Sequence, residues 1–406
     1  LPPKGGEGNT ADPYRAFCEQ RAVAHLSRRL NETEILPDGR AVRDGKELLN
    51  FSGNDYLGLS RHPLLIERAQ KFAATYGAGS TASRLVCGNI PPYAAIEERL
   101  ARGKGCAAAL VMDSGYQANL TLLAALADAE VVGRPVTVLA DRLCHNSLLQ
   151  GAILGGARLM RFRHNDYDHL ETLLAEQAKK GAHIIVVSES VFGMDGDRAD
   201  LSALIERVRR YDALLYIDEA HATGLFGPDG FGLCAEHPGE IDIAMGTFGK
   251  ALGGFGAYIG CSAVLRDYLI QRCGGLIYST ALPPSVLGAI DAALELLPQM
   301  AKERAQLQAQ AARLRKALMQ QGWNCGASTT QIIPVILSDE KAALDLADHL
   351  RTQGILAPAI RPPTVPPGAS RLRLSLSAAH KAADIDRLIE IMKVQAPHFT
   401  TITAVA

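Results

Sequence analysis

The chain of 406 residues carries 42 Lys and Arg against 43 Asp and Glu, a formal net charge of -1, with 48% hydrophobic and 21% charged residues. That is the composition of a globular protein with one large domain and one or two smaller ones. It lacks the basic excess of a nucleic-acid binder and any apolar run of membrane-spanning length, so neither a nucleic-acid partner nor a membrane span is expected. The eight cysteines are scattered, with no CxxC pair and no histidine cluster at ligand spacing; they read as free thiols of a reducing cytoplasm, and no metal is expected. The start "LPPKGGEGNTADPY" has no apolar signal core and reads as flexible, and the end "FTTITAVA" reads as a loosely held tail. Asn31-Glu-Thr and Asn119-Leu-Thr match a glycosylation pattern that carries little weight without a secretory signal.

In chain order, residues 1–53 read as a helix over "YRAFCEQRAVAHLSRRL", a turn at Pro37-Asp-Gly and a short strand near Leu48–Phe51. Residues 54–288 alternate helical segments with short apolar strands: 107–112, 136–140, 183–189, 213–218, 241–247 and 257–262. Helix-length spacers between strands predict an α/β domain, a mostly parallel sheet with helices on both faces. A long helical stretch from Pro284 to Gln321, broken near Pro298 and closed by Gly322, leads into a small α+β unit at 289–396, with 397–406 as tail. That unit holds strands at 331–337 and 371–377 and the helices "EKAALDLADHLRTQGI" and "ADIDRLIEIM".

The segment "LLYIDEAHATG" contains the four letters of a helicase box, but that chemistry needs the phosphate loop GxxxxGK[ST]. The nearest stretch, "GTFGKALGG", has Ala251 after Gly249-Lys250 and Ala244 where the first glycine belongs. "GFGAYIG" has GxGxxxG spacing and no acidic ribose partner at the usual distance. The strand ends supply something else. Asp218 closes one strand, His221 follows three residues on, and Lys250 follows the next strand among glycines, where desolvation suits a Schiff-base amine. A carboxylate at Asp218 suits a protonated pyridine nitrogen, and Gly115 in "DSGYQANL" places backbone N–H groups at a helix start, a seat for phosphate. Lysine, acid and phosphate seat together describe pyridoxal 5'-phosphate.

Several long segments in order, "NFSGNDYLGLSRHP", "RFRHND", "SVFGMDGDRADL", "YIDEAHATGLFGPDGFG", "TFGKALGG", "IYSTALPPS" and "RPPTVPPGASRLRLSLSAAH", make the chain resemble the α-oxoamine synthases. The resemblance implies the fold-type I, aspartate aminotransferase-like architecture with a seven-stranded-type sheet, and condensation of an amino acid with an acyl thioester. It implies that Lys250 carries the cofactor, Asp218 pairs with its ring nitrogen, His221 contacts its phenolic oxygen and His145 stacks on the ring. Gly115, Tyr116 and Thr247 would hold the phosphate, with Ser279 or Thr280 reaching it from the partner of a homodimer with shared active sites. Asn54 and Arg361 match substrate positions, Arg361 as a carboxylate anchor. The last segments favour L-alanine with a pimeloyl thioester, on CoA or acyl carrier protein, as in biotin synthesis. Members of the serine palmitoyltransferase or 2-amino-3-ketobutyrate ligase type, and a non-catalytic member of the fold, are the alternatives.

Three departures bear on the substrate: Gly193 where the family usually has serine, Tyr93 where histidine is common, and extra residues at Glu130–Pro135. Taken singly, each site residue has a plainer reading: Asp218 as a helix cap, Lys250 as a solvated cation, His145 as a structural histidine, Arg361, Arg371 and Arg373 as surface or strand charges. Their appearance together, in order, is what points to a site.

Overall fold

The computed structural model describes residues 11–337 and 339–399. Its centre is a seven-stranded sheet in the order Ala108–Met112, Ala257–Cys261, Ile243–Thr247, Leu214–Asp218, His183–Glu189, Val136–Asp141, Arg158–Phe162. All neighbours run parallel except Ala257–Cys261, which is antiparallel to both of its partners. Six of these strands were legible because helices cover both faces and the strands are apolar runs buried on both sides. The seventh, Arg158–Phe162, escapes that test. It lies at the sheet edge, buries only Phe162 and carries two arginines, so its sequence has no apolar run.

The lysine-bearing loop packs tightly. Gly253 has φ +64° and a Cβ there would overlap the backbone at Leu59 and Ser60, so glycine lets the loop after Ile243–Thr247 lie against the chain after "NDYLG". The long helical stretch is helix Pro284–Leu296, a 3-10 turn at Leu297–Gln299 and helix Ala301–Gln320, with Gly322 at φ +88° ending it.

Beyond it, Ile332–Ile336, Arg371–Ser375 and Ala359–Ile360 form a three-stranded sheet with helices Glu340–Thr352 and Ala382–Phe399. The N-terminal strands Glu34–Ile35, Ala41–Arg43 and Lys46–Asn50 join this end of the molecule, since Leu49 pairs in parallel with Ile355. The final helix runs to Phe399, three residues into the segment read as tail. The rest of that tail and the first ten residues lie outside the described residues.

The first helix differs from the expectation. It spans Asp12–Val23 rather than reaching Leu30, and none of its residues is buried. The reason is local competition for carbonyls: Arg21 takes Leu26 O at 2.7 Å, and Arg361 takes His25 O and Ser27 O, which holds this stretch out of an i to i+4 ladder. Among the described residues no helix is long and apolar enough to cross a membrane, and all eight cysteines are unpaired.

Candidate active site

Four neighbouring parallel strands end in a polar side chain at the same edge of the sheet: Asp141, Glu189, Asp218 and Thr247. Open α/β sheets bind ligands outside these carboxyl ends. Asp218 is 5% exposed, its Oδ1 accepting from Ala220 N–H at 2.8 Å and its Oδ2 from Asn119 Nδ2 at 2.8 Å. Asn119 also donates to Ser147 Oγ at 3.0 Å and accepts from Tyr216 OH at 2.8 Å. This is the asparagine of the second glycosylation pattern; it is buried and its amide is fully used.

Lys250 Nζ lies 2.7 Å from His221 Nε2. Burial lowers the pKa of its amine to about 8, with Asp218 opposing and Arg373 adding to the fall. Burial also pushes the His221 imidazolium well down, reinforced by Lys250 and Arg373, so His221 is neutral. His145 caps helix Asn146–Leu154. Its Nδ1 faces Ser147 Oγ at 2.7 Å and Ser147 N–H at 3.3 Å. Because Ser147 N–H can only donate to Nδ1, that nitrogen is the acceptor, the Ser147 hydroxyl donates to it as well, and the His145 proton is left on Nε2. Partial desolvation lowers the pKa of this ring too, with Asp218 opposing and Lys250 adding to the fall.

Gly115 opens helix Gly115–Leu126, Ser114 caps it, and a Cβ on Gly115 would lie 3.9 Å from Thr247 Cβ. The helix start therefore faces the strand end that leads to Lys250. Tyr116 stands edge-on to His145 at 6.4 Å. Ser279 Oγ contacts Gln117 Nε2 of its own chain, and Thr280 is exposed. Asn54 Oδ1 lies 3.2 Å from Arg373 Nη1 and 3.1 Å from Tyr56 OH. Arg361 is not part of this cluster. It grips the carbonyls of His25 and Ser27 beside Arg21 and Arg28, and burial and these cations push its pKa down.

The sequence reading missed several groups here. Glu189 is buried, accepts from His145 N–H at 2.6 Å and Gly193 N–H at 3.2 Å, and burial beside Asp218 raises its pKa to about 8. Its signal was available: it closes a strand as Asp218 does. Tyr56, Asn119 and Ser147 had no such signal, because their roles depend on partners far away in the chain. The second acid of the helicase-like letters, Glu219, pairs with Lys104 in the core and accepts from Cys234 N–H at 2.9 Å, a structural use. Tyr93 is also structural: its oxygen accepts from Leu282 N–H at 2.9 Å and Arg84 lies over its ring. The extra residues at Glu130–Pro135 precede strand Val136–Asp141 and so lie at the sheet end opposite the site.

A family model for class I and II aminotransferases matches residues 46–392. The 8-amino-7-oxononanoate synthase of Gluconacetobacter diazotrophicus is 51% identical over 382 residues, covering 92% of this chain and 96% of that one. The chain belongs to the α-oxoamine synthases of that family. A Magnetococcus marinus protein provisionally named as the same synthase is 56% identical over 371 residues, 91% of this chain and 94% of its own. Among solved structures, Sphingomonas wittichii serine palmitoyltransferase superposes with a TM-score of 0.88 at 28% identity, covering 97% of this chain and 99% of that one. As an α-oxoamine synthase the protein is a pyridoxal 5'-phosphate-dependent acyltransferase of fold-type I. The residues fit that cofactor. A half-buried amine of lowered proton affinity, a buried carboxylate and a helix start facing a threonine stand together at one sheet edge.

Proposed function

We propose that this enzyme condenses L-alanine with a pimeloyl thioester, delivered on CoA or acyl carrier protein, to an α-aminoketone, carbon dioxide and free thiol, the 8-amino-7-oxononanoate synthase reaction of biotin synthesis. The observation that carries this reading is identity above 50% across more than nine-tenths of the chain with relatives bearing that name. Bound at this sheet edge, pyridoxal 5'-phosphate supplies an electron sink for charge developing at the α-carbon of the amino acid.

The chain's own groups do the rest. Lys250 would hold the cofactor and, as a free amine, take the proton from the α-carbon. With its pKa near 8, a useful fraction is unprotonated at neutral pH while the conjugate acid still returns the proton. Asp218, held rigid by Ala220 and Asn119, would keep the ring nitrogen protonated. His221 would meet the phenolic oxygen and His145 the ring face, its Nε2–H left as a donor. Gly115, Tyr116 and Thr247 would hold the phosphate, joined by Ser279 or Thr280 of a second copy. Tyr278 at 86% and Val86 at 79% exposure lie on adjoining segments, joined where Ala281 N–H meets Ala82 O at 3.0 Å, and Ser279 beside Tyr278 contacts Gln117; this exposed apolar surface supports a homodimer.

Arg373, whose charge reaches both His221 and Lys250, would be the cation beside the reacting amine. Arg361, with Arg28 and Arg21 beside it, would take a substrate carboxylate. Arg361→Ala is then expected to raise the KM of the substrate bearing that carboxylate about 10- to 100-fold, the equivalent of a charged hydrogen bond of roughly 1.5–3 kcal/mol, with kcat nearly kept. An unchanged KM for both substrates moves the anchor to Arg373.

The test of the function is thiol and carbon dioxide release by the cofactor-loaded protein given pimeloyl-CoA with L-alanine, glycine or L-serine. Release with alanine is the expected result. Release with only glycine or serine keeps the family and changes the amino acid. No release with any acyl thioester, from protein that binds the cofactor, leaves the non-catalytic reading standing.

A further inference from the structure

Gly193 is a point where this chain lacks a side chain, and the space is used. An ideal Cβ there would overlap His221 Nε2 and lie 2.8 Å from its Cδ2, so the imidazole fills the volume a side chain would take. In that position both ring nitrogens are engaged, Nδ1 at 2.7 Å from Tyr56 OH and Nε2 at 2.7 Å from Lys250 Nζ. Tyr56 is fully buried; Arg373 donates to its oxygen at 3.2 Å, and Asn54 Oδ1 lies 3.1 Å away as a second acceptor for its hydrogen.

We propose that Tyr56 is a positioning residue that couples the protonation of Lys250 to the tautomer of His221, through a hydrogen-bonded chain for which glycine at 193 makes room. This rests on the reading of Lys250 as the reacting amine. Two arrangements satisfy the chain. In the first, the phenol hydrogen is donated to Nδ1, the single imidazole proton sits on Nε2, and Nε2–H is donated to the neutral amine. In the second, the amine holds one proton more and donates to Nε2, the imidazole proton sits on Nδ1 and is donated to the phenol oxygen, and the phenol hydrogen turns to Asn54. Imidazole and phenol are neutral in both, so the arrangements differ by one proton, held at Nζ.

The charges around the pair favour this division. Asp218 and Glu189 favour the ammonium of Lys250 and Arg373 opposes it. Burial, Lys250, Arg373 and His145 all act against an imidazolium at His221. The added proton therefore belongs to the amine, and the imidazole answers by changing tautomer. Either form of the amine therefore finds a partner in His221.

Tyr56→Phe removes one oxygen and keeps the ring. The second arrangement then leaves a buried imidazole N–H without an acceptor, while the first leaves only a bare lone pair, the milder defect. The Lys250 amine should therefore lose its proton at lower pH. In the cofactor-free protein, the pH dependence of Lys250 acylation by an amine-selective reagent, read by peptide mass spectrometry, should show a midpoint lower by about one pH unit. Gly193→Ala, whose Cβ displaces the imidazole from the amine, should lower it as well. Tyr258→Phe, an equally buried tyrosine bonded instead to Thr223, should leave it in place. An unchanged or raised midpoint in folded Tyr56→Phe or Gly193→Ala overturns the proposal, as does an equal fall in Tyr258→Phe. Because the readout needs neither cofactor nor turnover, failure of the acyl-transfer reading shows separately, as absent thiol release by the wild type.

Discussion

Lys250→Ala is expected to lower kcat by about 1,000-fold or more while the protein still folds and still takes up pyridoxal 5'-phosphate without a covalent link. The amine sits on the tightly packed loop that follows strand Ile243–Thr247, its nitrogen beside His221, so proton removal is set up by geometry as well as by basicity. Alanine deletes the base and leaves space for a small molecule. A primary amine added to the solution should therefore restore part of the rate, and the restored rate should climb with pH through that amine's own pKa. Steady-state kinetics with and without the added amine, alongside the visible spectrum of the bound cofactor, check this. Turnover at the wild-type rate removes Lys250 from the chemistry. A loss confined to KM makes it a binding group instead of a proton carrier.

What the sequence revealed and what it hid divide along a physical line. Buried parallel strands announce themselves because both faces demand apolar residues, and six of seven were readable for that reason. The placement of Asp218 and Lys250 at the ends of neighbouring strands was readable too, because it follows from where the apolar runs stop. Groups that act by reaching across the chain were not. Tyr56 meets His221 over 165 positions and Arg373 over 317, and nothing near "NDYLG" announces either contact. Arg361 shows the converse. Its match to a family substrate position implied a carboxylate anchor, and nothing in the sequence announced that its hydrogen bonds would go to carbonyls at His25 and Ser27, in a stretch whose own periodicity argued for helix. Gly193 read as a missing hydroxyl; in three dimensions it is the space that His221 fills.

Asp218→Asn should lower kcat by about 100- to 1,000-fold, the usual scale for removing one preorganised electrostatic partner of a developing charge. The substitution conserves shape but not the direction of the hydrogen bonds. Both oxygens of Asp218 accept, one from Ala220 N–H and one from Asn119 Nδ2. An amide in its place must set one N–H against another donor, and Asn119 cannot turn over to relieve this without giving up Ser147 and Tyr216. The variant should therefore also lose stability, by about 1–3 kcal/mol. A third consequence separates electrostatics from simple damage to the fold. Asp218 raises the pKa of both Lys250 and Glu189, so removing its charge should move both midpoints down: Lys250 below its value near 8, and Glu189 toward an ordinary carboxylate. The Lys250 midpoint in the cofactor-free variant reads this directly. A fall there together with the loss of kcat assigns Asp218 its charge-bearing role. Loss of kcat with the lysine midpoint unmoved reduces it to a residue that shapes the strand end.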